Sequence, residues 1–394
     1  MCEELMVQQL TTPSRDHALD GIRGIACLIV LISHFMQFFL PSVFVQNQID
    51  HYGEKYISET PFNILYNGHF AVMLFFVLSG MVLSIPFFKG KGLEWYSKSI
   101  IKRYPRLAIP TIASTIFSFI LMKTIGFHSS ETAVYSLSQV IPAMPTTMTL
   151  LNAVWEGGIG AYFYGVQTLN PVLWTIHTEL VGSILVLVLV PLVCTTRIRF
   201  AFYTLGIVVF SSSHLLGFIL GVICADVSVN IKKIHATIIF MFILLACYLG
   251  SYPYFITEHS IWINNSDITY FDLRIVSQAF GSMFLIIAID KSIVISNLFK
   301  TKTCKFLGDV SYSLYLVHFP LIASISSLIV IKLGDAGVSY GKSLLITFPI
   351  TLLSSILAAL IFKLLIDDNA IKFSNYLSNK ILPKNNVQAA KYAP

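Results

Sequence analysis

Charged side chains are scarce in this sequence of 394 residues. Asp, Glu, Lys and Arg together make up 12% of it, whereas soluble globular proteins carry about 25%. Apolar residues make up 55%, and phenylalanine alone occurs 30 times, which leaves too little polar surface to cover a particle in water. The composition therefore argues against a soluble enzyme, a disordered protein or a nucleic-acid-binding protein. It indicates a polytopic membrane protein whose partners include the lipid bilayer and no nucleic acid.

The sequence also lacks paired cysteine motifs and internal repeats. Its six cysteines form no CxxC pair and mostly lie in apolar runs, so we interpret them as small hydrophobic residues. We expect no disulfide framework, no metal site and no permanently bound cofactor. The sequence shows no repeat of the kind that marks many transporters.

Long apolar stretches recur along the chain, and about 20 apolar residues are enough to cross a bilayer as a helix. We expect an all-α fold with about ten transmembrane helices. The fifth and sixth are short and flank three serines, which predicts a tight helical hairpin. The predicted spans are Ala18–Leu40, Gly68–Phe88, Leu107–Gly126, Trp174–Cys194, Phe200–Ser212, His214–Val229, His235–Ser251, Leu273–Ile289, Gly308–Ile331 and Lys342–Ile366.

The distribution of basic residues predicts the orientation of these spans, because cytoplasmic loops of membrane proteins collect Lys and Arg. With ten spans and a cytoplasmic N-terminus, 21 of the 26 basic residues face the cytoplasm and 5 face outside. Merging the fifth and sixth spans would put the later basic loops on the wrong side. We therefore expect cytoplasmic N- and C-termini, at residues 1–17 and 367–394, around a transmembrane domain at residues 18–366. The segment Phe127–Val172 is expected to fold back against the membrane.

Arg23 and His34 lie inside the first span, where charged groups cost several kcal/mol unless they are paired or solvated. Arg23 and His34 are eleven residues apart, which places them within about 20° of one helix face and about 16 Å apart along the axis. We expect the two side chains to line one functional pocket. Gly21 and Gly24 predict close approach of a neighbouring helix on the inner half of this span.

The fourth span begins with LWTIHTEL and places a carboxylate, Glu179, inside the membrane. We expect Glu179 at about the depth of His34, where a carboxylate would fix the tautomer of the imidazole and stabilise the imidazolium. His177 lies nearer the outer surface and is a lesser candidate.

Further polar candidates lie near mid-membrane. In SYSLYLVHF, Tyr315 and His318 share a rough face of the ninth span, and Ser79 lies at mid-depth in FFVLSG. Each also has a plain structural interpretation, since a buried histidine can be a hydrogen-bonded packing residue and a serine can simply allow helices to pack.

A basic cluster, SIIKRYPRLAIP, lies between the second and third spans. Lys102, Arg103 and Arg106 occupy the predicted inner boundary of the membrane, and part of this cluster is an ordinary topology signal. Arginine also binds phosphate through paired hydrogen bonds. The cluster therefore suits the docking of a phosphorylated cytosolic ligand.

At these residues the chain resembles the membrane acyltransferase-3 family, which includes bacterial O-antigen and other surface-glycan O-acetyltransferases and macrolide acyltransferases. The fragments that carry the resemblance are LDGIRGIACLIVLISHF, FFVLSG, KRYPRL, LWTIHTEL and GDVSYSLYLVHFP. They occur in the family's order along most of the chain. The first contains the family's arginine and histidine, ten residues between them, as Arg23 and His34.

The resemblance implies transfer of an acyl group, commonly acetyl from acetyl-CoA, to a hydroxyl of a glycan, glycolipid or other acceptor. It implies that His34 and Arg23 are essential, that Arg103 and Arg106 hold the donor, and that Glu179 supports the site. It also implies O-acetylation in polysaccharide modification, at a bacterial inner (plasma) membrane.

The chain departs from the family pattern at three points. Ala71, Val72 and Met73 stand where relatives often have Gly-Val-Asp, and His177 stands where others often have Pro or Ser. Many relatives carry a C-terminal hydrolase-like domain, and we expect none here.

Two functions remain open from the sequence. In the first, an integral membrane O-acyltransferase, His34 acts as a general base or as an acyl relay. In the alternative, a proton-coupled transporter or flippase uses Arg23, His34, Glu179 and His318 as its relay.

Overall fold

The computed structural model describes residues 16–194, 197–255 and 272–383. Within these ranges every regular element is a helix and no strand occurs, which confirms the predicted all-α fold for this part of the chain. The predicted N-terminal segment, apart from its last two residues, and the final part of the predicted C-terminal tail lie outside the described residues.

Ten apolar helices coincide with the ten predicted spans. They are α1 (His17–Phe39), α2 (Gly68–Phe88), α3 (Leu93–Thr124), α4 (Trp174–Val193), α5 (Arg199–Val209), α6 (Leu215–Asn230), α7 (Ala236–Gly250), α8 (Leu273–Lys291), α9 (Lys302–Leu321) and α10 (Tyr340–Phe362). In the described part of the chain, seven helical segments are long and apolar enough to cross a membrane, whereas α5, α6 and α7 are shorter apolar helices. The exact count of ten spans and the orientation of the termini stay predictions.

Shorter helical elements connect or extend these helices. The short α-helices are Lys55–Ser58, Ser129–Ser136, Leu150–Trp155, Ile293–Leu298 and Ser327–Asp335, and the 3-10 turns are Pro41–Val43, Pro61–Leu65 and Pro171–Leu173. Three segments are π-helical: Glu156–Tyr164, Ile322–Ser326 and Lys363–Asp367. π-Helical turns are rare and occur frequently at functional sites.

Polar caps begin several of the long helices. Backbone N–H groups of a first helical turn have no partner within the helix, so side-chain oxygens commonly accept from them. At α1, Asp16 Oδ1 accepts from the N–H of Ala18 at 2.9 Å. At α2, Asn67 Oδ1 accepts from the N–H of Phe70 at 3.0 Å. These caps set the residues at which α1 and α2 begin.

Glycine allows α1 and α9 to cross closely. A Cβ atom on Gly24 would lie 2.4 Å from the backbone nitrogen of Gly308, and one on Gly308 would lie 2.4 Å from the carbonyl oxygen of Asp20. No side chain fits at such a distance, so the two backbones are in contact here. The close approach predicted at Gly24 is confirmed, and it brings the face of α1 that carries Arg23 beside α9.

The segment between α3 and α4 folds back along α3, and its predicted placement against the membrane stays a prediction. Thr115 Oγ1 donates to the carbonyl oxygen of Ala153 at 2.7 Å, and Tyr104 Oη donates to that of Gly158 at 2.5 Å. Tyr104 lies about 30 Å along α3 from its last residue, Thr124. The segment therefore enters the helical bundle deeply.

The chain after Ile366 differs from the expected solvated tail. α10 continues through the π-helix Lys363–Asp367 into α11 (Asp368–Ile381), which packs along α3. Asp367 is buried and forms an ion pair with Arg106. The predicted domain boundary at residue 366 therefore falls inside a continuous helical segment. The ion pair holds this segment against α3.

Candidate active site

A cavity of about 590 Å³ lies among α1, α2, α3, α4, α9 and the start of α11. Ligand pockets commonly have volumes of about 300–1,000 Å³. Six residues singled out from the sequence line this cavity, although they come from five different helices. They are Arg23, Ser79, Arg103, Arg106, Glu179 and Tyr315.

The cavity has a charged end and an apolar end. Arg23, near the start of α1, and Asp367, after the end of α10, belong to the charged end. Val72 and Phe75, nearer the start of α2, belong to the apolar end together with Ile176. Since α1 and α2 run in opposite directions across the predicted membrane, the charged end faces the side predicted to be cytoplasmic.

Glu179 lies in the middle of the cavity, and its partners are on α2 and α3. Ser79 Oγ donates to Glu179 Oε1 at 2.9 Å, and Arg103 Nη2 donates to the same oxygen. The predicted contact between Glu179 and His34 was wrong, because each side chain has a different partner among the described residues. Glu179 fixes the guanidinium of Arg103 instead of an imidazole.

The depth of α4 explains this difference. Val172, just before α4, accepts a hydrogen bond from Tyr315 in mid-bundle, at 3.0 Å. α4 therefore begins within the bundle and not at its outer surface. Glu179 is seven residues after Val172 and so lies about 10 Å further along the helix axis, toward the charged end. The sequence suggested an outer start for α4, which would have raised Glu179 to the level of His34.

Each cation at the charged end has a carboxylate partner. Arg23 Nη1 lies 2.7 Å from Asp20 Oδ1, Arg106 pairs with Asp367, and Lys363 Nζ lies 2.9 Å from an oxygen of Asp368. The three residues after α10 were missed from the sequence, where KLLIDD reads as the end of a span. The available signal was a lysine followed four and five residues later by two aspartates, a spacing that lets them pair on one helix face.

His34 forms a hydrogen-bonded pair with His318 next to the cavity. His34 Nδ1 lies 2.9 Å from His318 Nε2, and His318 Nδ1 lies 3.0 Å from the carbonyl oxygen of Leu314. His318 is fully buried, whereas His34 is partly exposed. The two residues come from α1 and α9, whose crossing brings them together.

Hydrogen bonding determines the tautomers of this histidine pair. A carbonyl oxygen only accepts, so His318 Nδ1 carries the proton that it donates to Leu314. The other nitrogen of a neutral imidazole is an acceptor, and His318 Nε2 therefore accepts from His34 Nδ1. This arrangement leaves His34 Nε2 unprotonated, which is the form that a general base requires.

Tyr315 contacts both the cavity and the histidine pair. Its ring lines the cavity and has its centroid 5.9 Å from that of His318. Its hydroxyl lies 2.9 Å from Thr175 Oγ1 and donates to the carbonyl oxygen of Val172 at 3.0 Å. His34 and His318 themselves are not among the residues that line the cavity.

A group of rings near the start of α2 was missed from the sequence. The His69 ring centroid lies 5.1 Å from that of Tyr254 and 6.3 Å from that of Trp174, which is 5.0 Å from His214. Tyr254 Oη also lies 3.3 Å from the hydroxyl of Ser33, the neighbour of His34. Histidines at the starts of two apolar helices were the available signal.

His177 and Lys102 do not join the cavity lining. His177 is exposed, and its Nδ1 lies 2.5 Å from the carbonyl oxygen of Tyr162. Among the described residues, no group of three or more His, Cys, Asp or Glu side chains is arranged to hold a metal ion.

Comparison with known proteins identifies the family of this chain. A family model described as an acyltransferase domain, that of the acyltransferase-3 family, matches residues 16–366. The chain belongs to the acyltransferase-3 family. As a member, it is a membrane acyltransferase whose matched region includes every cavity residue before Asp367.

Two curated fungal proteins are similar to this acyltransferase. O-acetyltransferase PaAT-1 of Phomopsis amygdali is 22% identical over a gapped alignment of 438 positions, and the alignment covers 95% of this chain and 86% of the relative. Acyltransferase clz18 of Cochliobolus lunatus is 22% identical over a gapped alignment of 444 positions, which covers 89% of this chain and 92% of the relative. No solved structure matches the chain.

Proposed function

We propose that this protein is an O-acyltransferase that moves an acyl group from acyl-CoA to an acceptor hydroxyl, with His34 as the general base. One observation carries the proposal: a cavity with arginines at one end and an apolar other end reaches Tyr315, whose ring lies next to a histidine pair in which His34 has an unprotonated nitrogen. Acyl-CoA has the matching chemistry, with phosphates at one end and a thioester at the other.

The donor phosphates would meet Arg23, Arg103 and Arg106. A guanidinium has five N–H donors, so one that is paired with a carboxylate still has N–H groups to offer a phosphate. Glu179 holds the Arg103 side chain in place, and Asp367 does the same for Arg106. The pairs therefore orient the guanidinium groups before the donor binds.

The reaction needs one proton acceptor near the thioester. His34 Nε2 takes the proton of the acceptor hydroxyl while the oxygen attacks the thioester carbonyl carbon. The resulting intermediate expels the CoA thiolate, which takes the proton back from His34. His318 acts as a positioning residue, because it holds the Nδ1 proton of His34 throughout. In a variant with the same nitrogen, His34 Nε2 attacks the thioester and expels the CoA thiolate. The acyl group then passes to the acceptor oxygen, and the hydroxyl proton of the acceptor goes to the thiolate.

The proposal extends to an acetyl donor, a glycan or glycolipid acceptor and a bacterial plasma membrane. The name of the relative from Phomopsis amygdali, an O-acetyltransferase, supports acetyl-CoA as the donor. The resemblance to surface-glycan O-acetyltransferases supports the acceptor and the location.

Binding of acetyl-CoA tests the donor directly. Calorimetry on the purified full-length protein should show micromolar binding, and an Arg103→Ala/Arg106→Ala double variant should lose it. Arg199→Ala is the matched control, because Arg199 pairs with Asp226 outside the cavity. Well-folded protein that binds no acyl-CoA would contradict the proposal and favour the transporter alternative.

A further inference from the structure

We propose that Tyr315 is the end wall of the acyl-binding part of the cavity and limits the length of the acyl chain that the protein accepts. This inference rests on the proposed function, because it concerns the acyl group of the same donor. It assigns Tyr315 a role in specificity that is separate from proton transfer at His34.

The hydroxyl of Tyr315 fixes its ring across the bundle. The side chain starts on α9, and its hydroxyl is bound by Thr175 Oγ1 and the carbonyl oxygen of Val172 at the start of α4. Thr175 Oγ1 itself donates to the same carbonyl oxygen at 3.0 Å. The ring is therefore held at both ends, and it spans the gap between the two helices.

The surface on the cavity side of this ring is apolar. Val72, Phe75 and Ile176 line it, and the Phe75 ring centroid lies 5.9 Å from that of Tyr315. The charged residues that suit phosphates lie at the opposite end of the cavity. A donor bound with its phosphates at the charged end would thus direct its acyl group toward Tyr315.

The histidine pair lies beside this ring. The His318 ring centroid is 5.9 Å from that of Tyr315, and His318 is fully buried. A short acyl group ends in front of Tyr315 and beside the pair. A longer one meets the ring, and it fits only if the ring is removed or displaced.

Removing the ring should change how affinity depends on chain length. We would measure binding of acetyl-, butyryl-, hexanoyl- and octanoyl-CoA to the purified full-length protein by calorimetry. In the wild type, affinity should not increase beyond the short chains. In Tyr315→Ala it should rise by about fourfold for each added methylene that becomes buried. Tyr315→Phe keeps the ring and should retain the wild-type dependence.

Tyr203→Ala is the matched control, since Tyr203 is buried to the same extent as Tyr315, with 7% of its surface exposed, but lies outside the cavity. It should show the wild-type dependence on chain length. If Tyr315→Ala does not fold, Tyr315→Leu replaces the ring with a shorter apolar side chain and should give the same direction of change.

The outcomes separate this inference from the proposed function. If folded Tyr315 variants bind acetyl-CoA but keep the wild-type dependence on chain length, Tyr315 is not the end wall. If the wild type already gains affinity steadily up to octanoyl-CoA, the wall is elsewhere or absent. If the folded wild type binds no acyl-CoA at all, the proposed function itself fails.

Discussion

At the scale of single residues, the proposed mechanism divides proton transfer between a base, His34, and a positioning residue, His318. His34 is partly exposed and has an unprotonated Nε2, whereas His318 is fully buried and bound on both sides. The arrangement resembles other base–orienter pairs, in which a third group holds the base in one tautomer. The two residues should therefore respond differently to substitution.

We expect His34→Ala to lower the rate of acyl transfer by at least about 100-fold, the usual contribution of a general base. His318→Ala should lower the rate less, because His34 then samples both tautomers but is still present as the base. Release of CoA thiol, with host membranes as the source of acceptor, measures the rate. Acetyl-CoA binding should be unchanged in both variants.

Two further measurements distinguish a positioning role of His318 from a purely structural one. Nitrogen-15 NMR of histidine-labelled protein should show one tautomer for His34 in the wild type and a mixture in His318→Ala. His177→Ala, at an exposed position outside the cavity, should match the wild type in rate. An unchanged His34 signal in His318→Ala would contradict the positioning role.

At the scale of helices, the site depends on how closely α1 and α9 cross. A Cβ atom on Gly24 would lie 2.4 Å from the backbone of Gly308, so Gly24→Ala must push the helices apart. We expect a loss of stability of about 1–3 kcal/mol, as for other overpacked positions. The thermal unfolding temperature of the purified protein should fall. Gly92→Ala, where an added Cβ meets nothing within 4 Å, is the control, and an equal fall in both variants would contradict the close crossing.

The helical segment after α10 is a second element on which the cavity depends, because its π-helix places Asp367, and α11 places Asp368 and Ile371, in the cavity lining. Ending the chain after Ile366 should therefore weaken acetyl-CoA binding by at least about tenfold, since Arg106 loses its partner and the cavity loses a wall. Ending it after Pro383 retains α11 and should leave binding intact. Equal affinities of the two shortened proteins in calorimetry would show that α11 does not form part of the donor site.

The same helices show which features were predictable from sequence. The approximate positions of α1 to α10 were predictable, because the length and apolar character of a membrane helix are local properties. Arg23 was predictable because charge at membrane depth is costly, and Arg103 because it belongs to a basic cluster at the predicted inner membrane boundary that suits phosphate. The partner of Glu179 was not predictable from the sequence, because the depth of α4 depends on how the preceding segment folds along α3. The pairing of His34 with His318 likewise depends on a crossing between distant helices.

At the scale of the whole molecule, charge asymmetry and cavity geometry point in the same direction. In the ten-span arrangement, 21 of 26 basic residues lie on the predicted cytoplasmic side, and the arginine-lined end of the cavity faces that side. The histidine pair lies further along α1, and His34 is about 16 Å from Arg23 along the helix axis. A donor that cannot cross the bilayer would therefore have access from the cytoplasm alone.

Sealed membrane vesicles of known orientation test this sidedness. Acetyl-CoA carries several charges and does not cross a lipid bilayer unaided, as expected from the cost of burying charge in hydrocarbon. Added acetyl-CoA should be consumed by inside-out vesicles, which expose the cytoplasmic face, and not by right-side-out vesicles until detergent opens them. His34→Ala vesicles of both orientations provide the background. Equal consumption by both sealed preparations, above that background, would mean that the donor reaches the cavity from the outer side as well, against the orientation inferred from the basic residues.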